Sequence, residues 1–163
     1  MLEIIKVPNP ALNESADEID TIDKATAELA GEMINLMIKE KGIGLAAPQV
    51  NLNKRLFVVS LQGDTPRIFI NPQIIETSLE ETEMEEGCLS IPGIYTDIKR
   101  PAAVRVQAWN ERGRPFTLEA DGILARVIQH EFDHLQGVLF VDYLQDRKRE
   151  KVMKKYLKTA GAR

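Results

Sequence analysis

The sequence has 163 residues, of which 44% are hydrophobic and 28% are charged, and its net charge is −4. This composition is typical of a globular chain long enough to form one domain with a full core. The single cysteine excludes an internal disulfide framework. The N-terminus lacks a basic stretch followed by a long apolar run, and nowhere do about 20 apolar residues follow one another. We therefore expect a cytoplasmic protein, in which a thiol stays reduced.

The first half of the chain predicts one helix and two strands. Residues 8–20 begin with two prolines and two asparagines and predict an irregular segment. Apolar residues at helical spacing predict a helix over residues 23–41, with Gly42 as its C-cap. Residues 42–50 are mostly small, so they form either a tight connection or the wall of a substrate cleft. Residues 56–61 and 68–70 predict strands, and Asn71-Pro72 is expected to end the second.

An acidic run follows and leads to a hairpin. Five glutamates crowd residues 80–86, and most of them are expected to form a solvated edge. Glu86 is set apart because it lies two residues before Cys88, the only cysteine. Alternating apolar residues at 104–108 and 116–120, separated by a turn at 110–113, predict a β-hairpin.

A helix is predicted between Asp121 as its N-cap and Gly137 as its end. Its apolar residues cover a wide arc that is typical of a buried helix, namely Ile123, Leu124, Val127, Ile128, Phe132 and Leu135. Its polar residues form one narrow stripe at spacings of three and four, namely Arg126, Gln129, Asp133 and Gln136. His130 and His134 lie outside that stripe, one turn apart on the same face.

The sequence His-Glu-x-x-His gives this helix the pattern of a metal site. His130 and His134 aim at one point, and Glu131 lies beside them. They are the only two histidines in the chain, and Cys88 is the only candidate thiolate ligand. Each observation alone has a plainer explanation. Two histidines can fall four apart on a core helix by coincidence, and a lone cysteine is usually a small buried apolar residue.

The C-terminal segment is basic. Residues 145–163 carry eight Lys or Arg and two acidic residues, a net charge of +6, whereas residues 1–144 carry −10. We predict a helix over about residues 145–160 that packs through an apolar stripe of Val152, Met153, Tyr156 and Leu157. Its basic face is either solvated or contacts an anionic partner such as RNA.

Three motifs in chain order resemble those of the peptide deformylase family. They are G-x-G-x-A-A-x-Q over residues 42–49, E-G-C-x-S over residues 86–90, and Q-H-E-x-D-H over residues 129–134. The resemblance spans nearly the whole chain. It implies one catalytic domain over residues 1–163 with an α+β fold. In that fold, antiparallel β-sheets surround a central buried helix that carries the His-Glu-x-x-His motif, and N- and C-terminal helices lie outside.

The resemblance also implies the chemistry. Such an enzyme removes the N-formyl group from the formyl-methionine of newly made proteins and releases formate. Cys88, His130 and His134 would bind one divalent metal ion, physiologically Fe(II), with Zn, Ni or Co as alternatives, and would leave a position open for water. Glu131 would transfer protons. The side-chain amide of Gln49 and the backbone N–H of Leu89 would stabilise the formyl oxygen.

The implied partners are N-formyl-methionyl nascent peptides. Ile43, Gly44 and Gly87 would bind the peptide backbone as an added strand. The methionine pocket would be formed by Ile43, Met84, Ile123 and Val127. In some members the basic C-terminal helix contacts the ribosome, and we expect a monomer. Tyr95 stands where some bacterial members carry a peptide-binding arginine.

Two inferences come from this chain's own residues. Asp133 is expected to pair with Arg100, and Glu86 is expected to support the loop of Cys88. Two other functions stay open at this point. A metallopeptidase with the same motif would need a third His or Glu ligand downstream, and the residues after His134 supply no histidine. A non-catalytic protein with a structural metal would need a fourth protein ligand.

Overall fold

The computed structural model describes residues 1–161. Three α-helices occur in this range: α1 (Lys24–Lys39), α2 (Gly122–Leu135) and α3 (Asp146–Gly161). The strands are β1 (Gly44–Ala46), β2 (Leu56–Val59), β3 (Arg67–Thr77), β4 (Glu81–Cys88), β5 (Ile91–Pro101), β6 (Ala103–Trp109) and β7 (Pro115–Asp121). Short 3-10 helical turns lie at Pro10–Asn13, Ala47–Val50 and Phe140–Tyr143.

The strands form two antiparallel sheets. One has the order β1-β2-β3-β6-β7, and the other is the pair β4-β5. Helix α2 lies against β1, β2, β6 and β7, and nine of its 14 residues are buried. Helices α1 and α3 each bury one side and expose the other. The predicted α+β fold with antiparallel sheets is confirmed.

The hairpin that leads into α2 forms as predicted. Strands β6 and β7 pair Val104 with Ala120 and Val106 with Leu118, so the alternating apolar residues face the core together. At the turn, the side chain of Asn110 accepts hydrogen bonds from two backbone N–H groups, at 2.9 and 3.1 Å. Gly113 has a positive φ of 74° there. Such a turn needs a residue that tolerates the left-handed region.

The prediction that Asn71-Pro72 ends the second strand is wrong, because β3 includes both residues. The strand continues to Thr77, and its pairing with β6 shifts register between Ile70 and Gln73. The extra residue is absorbed by Asn71, whose φ is 49° and whose side chain bonds both backbone groups of Ile19, at 2.8 and 2.9 Å. Proline is tolerated in a strand at such a bulge. The acidic run was also not predicted as a strand, yet it forms most of β4.

The start of α1 is predicted well and its end is not. Asp23 caps the helix through a 3.0 Å bond from the backbone N–H of Thr26. The helix ends at Lys39, and Lys41 takes the left-handed conformation (φ 61°) that was expected of Gly42. The following small residues are not a loop throughout. They form β1 and a 3-10 turn whose four residues are all buried.

Helix α3 confirms the predicted C-terminal helix over the described residues; residues 162 and 163 of the basic segment lie outside them. Tyr156 is buried, and its hydroxyl donates to the carbonyl of Val7 at 2.8 Å. Val152 and Met153 pack beside it, whereas Leu157 is half exposed, so the predicted apolar stripe is narrower than expected. None of the helices in residues 1–161 has the length and apolar character to cross a membrane.

Candidate metal centre and substrate cleft

Cys88, His130 and His134 come together as the sequence predicts. One donor atom from each residue lies within 4.8 Å of the others. Cys88 ends strand β4, and its Sγ lies 3.4 Å from Nε2 of His134. One thiolate and two imidazoles suit several divalent transition metals. Burial lowers the pKa of His134 well below its ordinary value, which favours the neutral imidazole that binds metal.

The second nitrogen of His130 has a carboxylate partner. Nδ1 of His130 lies 2.9 Å from Oε1 of Glu86. This bond leaves Nε2 of His130 available as a donor atom for a metal, an arrangement common to metal-binding histidines. His134 differs, because its Nδ1 is buried and has no hydrogen-bond partner among the described residues. The three donor residues therefore fit a metal, with one of them firmly oriented.

Glu86 is the centre of a buried ionic network. Arg100 donates to both of its oxygens, at 2.6 and 2.9 Å, and Arg126 donates at 2.8 Å. Burial acts to raise the pKa of Glu86, but hydrogen bonds from His130 and Arg100 outweigh it and lower the pKa to about 2. Glu86 is thus a carboxylate at neutral pH, as an acceptor for His130 must be. Glu86 was expected to support the loop of Cys88, and its side chain bonds the candidate ligand His130.

The predicted pair of Asp133 and Arg100 is also present, at 2.7 Å. Tyr143 completes it, because its hydroxyl donates to the same oxygen of Asp133 at 2.7 Å. The guanidinium of Arg100 lies 4.7 Å from the centre of the Tyr143 ring. Burial and the bond to Asp133 raise the pKa of Tyr143 to about 12, so the phenol stays protonated.

Glu131 has an unusual environment beside the three donors. Its side chain is buried, and Oε1 has no hydrogen-bond partner among the described residues. Burial raises the pKa of Glu131 to about 7. Gly44 makes room for this side chain, since a Cβ at Gly44 would lie 2.4 Å from Oε2 of Glu131. A carboxyl group with a pKa near neutral and no competing partner is suited to accept and return a proton.

Gln49 faces the same point from the 3-10 turn after β1. Its Oε1 accepts from the backbone N–H of Ala46 at 2.9 Å. Its Nε2 donates to Oγ of Ser90 at 3.1 Å and lies 3.5 Å from Sγ of Cys88. The amide orientation is therefore fixed, with its N–H groups towards the candidate metal centre.

These groups border a cleft of about 960 Å³. Of the twelve site residues that the sequence predicts, all except His134 line it. His134 is only 1% exposed and lies behind the cleft surface. Ile43 and Ile123 are about half exposed at its edge, whereas Val127 is buried. Tyr95 also lines the cleft and covers Gly87, its cross-strand neighbour.

Sequence reasoning missed three contributors. Arg126 and Gln129 were placed on a polar stripe, but both are buried against β4 and β5. There Arg126 donates to the carboxylate of Glu86 and to the carbonyls of Thr82 and Ile98. Ser90 and Tyr143 were not singled out. The charge of Arg126 four residues before a candidate ligand was the one available signal, because residues four apart share a helix face.

Comparisons with known proteins agree on one family. The family model of polypeptide deformylase matches residues 1–150. A peptide deformylase of Borreliella burgdorferi is 47% identical over 161 residues, covering 98% of both chains. A solved peptide deformylase of Synechococcus elongatus, in complex with actinonin, has a TM-score of 0.90 and 42% identity over 94% of this chain and 86% of that one. A solved peptide deformylase of Legionella pneumophila has a TM-score of 0.92 and is 36% identical, covering 100% of this chain and 98% of that one. The chain therefore belongs to the peptide deformylase family.

Proposed function

We propose that Cys88, His130 and His134 hold the divalent metal of this deformylase and that Glu131 moves the proton during hydrolysis. As a family member, the chain is a metal-dependent hydrolase that removes the N-formyl group from new polypeptides. One observation supports the residue assignment above all: three donor atoms lie within 4.8 Å of one another, and Oε1 of the neighbouring Glu131 is buried with no hydrogen-bond partner in residues 1–161.

Fe(II) is the metal that we propose, with Zn, Ni or Co as possible substitutes, because the donor set accepts all four. When bound, such an ion polarises the formyl carbonyl and lowers the pKa of a water molecule towards 7. The three protein donors leave a position free for that purpose, in contrast to a closed structural site with four protein ligands.

Glu131 acts as the general base and acid. Its pKa of about 7 makes it a competent acceptor for the proton of the attacking water. Its unpartnered Oε1 can hold this proton, and it then protonates the amine that leaves as formate is released. The bond that breaks joins the formyl carbon to the methionine nitrogen, and the two products are formate and the peptide with a free amine.

Gln49 and the backbone N–H of Leu89 stabilise the negative charge that develops on the formyl oxygen. One hydrogen of the Gln49 amide is donated to Oγ of Ser90 at 3.1 Å, and the other is donated to Sγ of Cys88 at 3.5 Å. That second hydrogen is the one offered to substrate. Loss of one such donor typically lowers the rate by about 10²–10³-fold.

The substrate is an N-formyl-methionyl peptide that binds as an added strand. Ile43, Gly44 and Gly87 supply the backbone contacts, and the two glycines permit close approach. Ile43 also belongs to the apolar group that receives the methionine side chain, which comprises Ile43, Met84, Ile123 and Val127. All four line the cleft, which supports a pocket between β4, α2 and the residue before β1. An apolar pocket of this kind selects by shape and therefore discriminates modestly.

Further parts of the proposal concern the whole chain. We propose that residues 1–163 act as one catalytic domain, as a monomer in the cytoplasm. The basic face of α3 would contact the ribosome, and its Lys and Arg side chains are mostly exposed. The metallopeptidase alternative receives no support, because the third donor is Cys88, upstream of the helix, and not a downstream His or Glu.

Formate release from a formyl-methionyl tripeptide tests the assignment. The protein would be purified without oxygen, and its metal content measured. Glu131→Gln keeps the side-chain shape, so we expect it to retain metal and lose activity by at least about 10²-fold. Glu83→Gln, an exposed carboxylate outside the cleft, is the matched control and is expected to be fully active. Full activity of Glu131→Gln would contradict the proton-transfer role, and an inactive metal-loaded wild type would refute the function.

A further inference from the structure

Ser90 is fully buried beside the cleft but does not line it. Its hydroxyl oxygen accepts from Nε2 of Gln49 at 3.1 Å. Gln49 is itself 1% exposed, so its amide cannot be oriented by bulk water. The two residues lie 41 positions apart, on the turn after β1 and on the turn between β4 and β5.

Both ends of the Gln49 amide are held. The backbone N–H of Ala46 donates to Oε1, which excludes the flipped orientation, because an NH₂ group there would face another donor. Ser90 holds the other end through Nε2. A hydroxyl at this position accepts one amide hydrogen and leaves the second hydrogen aimed at the Cys88 side of the cleft.

The backbones of the two residues are joined by one extended N-terminal segment. The N–H of Ile5 donates to the carbonyl of Gln49 at 2.8 Å, and the N–H of Val7 donates to the carbonyl of Ser90 at 3.0 Å. The other side of this segment is fixed to α3, because Tyr156 donates to the carbonyl of Val7. Ser90 and Gln49 are thus held at a set separation by backbone bonds as well as by their side chains.

We propose that Ser90 is a positioning residue that acts on catalysis through Gln49. Its hydroxyl, set in place by residues 5–7, keeps the Gln49 amide in the orientation in which the second hydrogen, donated to Sγ of Cys88 in this structure, faces the place of the formyl oxygen. This inference rests on the proposed role of Gln49 in stabilising that oxygen. Preorganised donors contribute to catalysis because they need no reorientation as charge develops.

A double-mutant cycle separates this role from a purely structural one. Ser90→Ala removes only the hydroxyl, and we expect kcat to fall about fivefold, the equivalent of one neutral hydrogen bond, with KM nearly unchanged. Gln49→Ala is expected to lower kcat by about 10²–10³-fold, which leaves a measurable rate. In the Gln49→Ala background, Ser90→Ala is expected to have no further effect, because its target is gone.

A second readout does not depend on activity. The side-chain amide signals of Gln49 in a ¹H–¹⁵N spectrum can be identified by their absence from Gln49→Ala. We expect dispersed, slowly exchanging signals in the wild type and signals shifted towards those of a free glutamine in Ser90→Ala. Ser78→Ala is the control: its hydroxyl forms two hydrogen bonds, but it lies outside the cleft, so the Gln49 signals and kcat are expected to stay unchanged.

Four outcomes would overturn the inference. An equal loss of kcat on Ser90→Ala in both backgrounds would show that Ser90 acts independently of Gln49. An unchanged kcat and unchanged Gln49 signals in Ser90→Ala would show that the hydroxyl positions nothing. An inactive wild type would refute the proposed function and this inference together, whereas an active wild type unaffected by Gln49→Ala would refute only the role of Gln49 and what rests on it.

Discussion

Replacement of Glu86 by glutamine is predicted to weaken both the fold and the metal centre. The wild-type carboxylate accepts from Arg100, Arg126 and His130 at distances between 2.6 and 2.9 Å. A glutamine amide has the same shape, but it carries no charge, and its NH₂ group would face one of these donors. Two buried guanidinium groups would then lack their shared counter-ion.

The size of the effect follows from that geometry. Loss of one partner from a buried ion pair typically costs about 3–5 kcal/mol. For a chain of this length, each kcal/mol lowers Tm by about 2–4 °C, so we expect a decrease of about 10 °C in the metal-free protein. Because Glu86 also orients His130, metal affinity is expected to fall by about 10–100-fold.

Two measurements and one control test this prediction. Thermal unfolding followed by circular dichroism reports Tm, and competition with a chelator of known affinity reports metal binding. Glu83→Gln, three residues earlier on β4 and exposed, is the matched control and is expected to change neither. A Tm within 2 °C of wild type would contradict the buried network. A lowered Tm with wild-type metal affinity would contradict the orientation of His130 by Glu86.

Three further predictions test other parts of the site. Gly44→Ala is expected to lower kcat by about 10²-fold with the fold retained, because the added Cβ would displace the side chain of Glu131. Gly31→Ala in α1 is the control, since a Cβ added there would meet no atom of the described residues within 4 Å. Acid is expected to lower the free energy of unfolding by about 3 kcal/mol as pH falls from 4.5 to 2, because the lowered pKa of Glu86 stabilises the fold fully above pH 4.5 and this stabilisation is lost as Glu86 becomes protonated. Urea titrations at each pH measure the free energy of unfolding, and Glu86→Gln should lack the contribution of Glu86 to this decrease. Chelation is expected to abolish formate release and lower Tm, and anaerobic Fe(II) to restore both; activity that survives verified metal removal would contradict the assignment.

Local rules are sufficient to predict that His130 and His134 form a pair, whereas Cys88 joined the candidate ligands through the resemblance to the family. His130 and His134 share a face because a helix has 3.6 residues per turn, and the chain holds no other histidine and only one cysteine. The hairpin before α2 is equally local, since its alternation and its turn at Asn110 lie within about 20 residues. Such features need no knowledge of how distant segments meet.

Apart from the pair of Asp133 and Arg100, contacts between distant segments could not be predicted in the same way. Arg126 bonds Glu86 across 40 residues, and Gln49 bonds Ser90 across 41. A charged residue at a polar position of a helix is usually solvated, so the burial of Arg126 follows only from the packing of β4 and β5 on α2. The bulge at Asn71 was missed for a similar reason, because its side chain is satisfied by Ile19, 52 residues away.

The ionic network explains how two separate elements can form the proposed metal centre. Cys88 comes from β4 and the histidines from α2, so the distance between their donor atoms depends on how strand and helix are joined. Glu86, two residues before Cys88, contacts both Arg126 and His130 of that helix. Charged groups with fixed hydrogen-bond directions define a position more narrowly than apolar contacts, which tolerate sliding. The buried carboxylate therefore sets the placement of the cysteine relative to the histidines, and its removal is expected to affect metal affinity as well as stability.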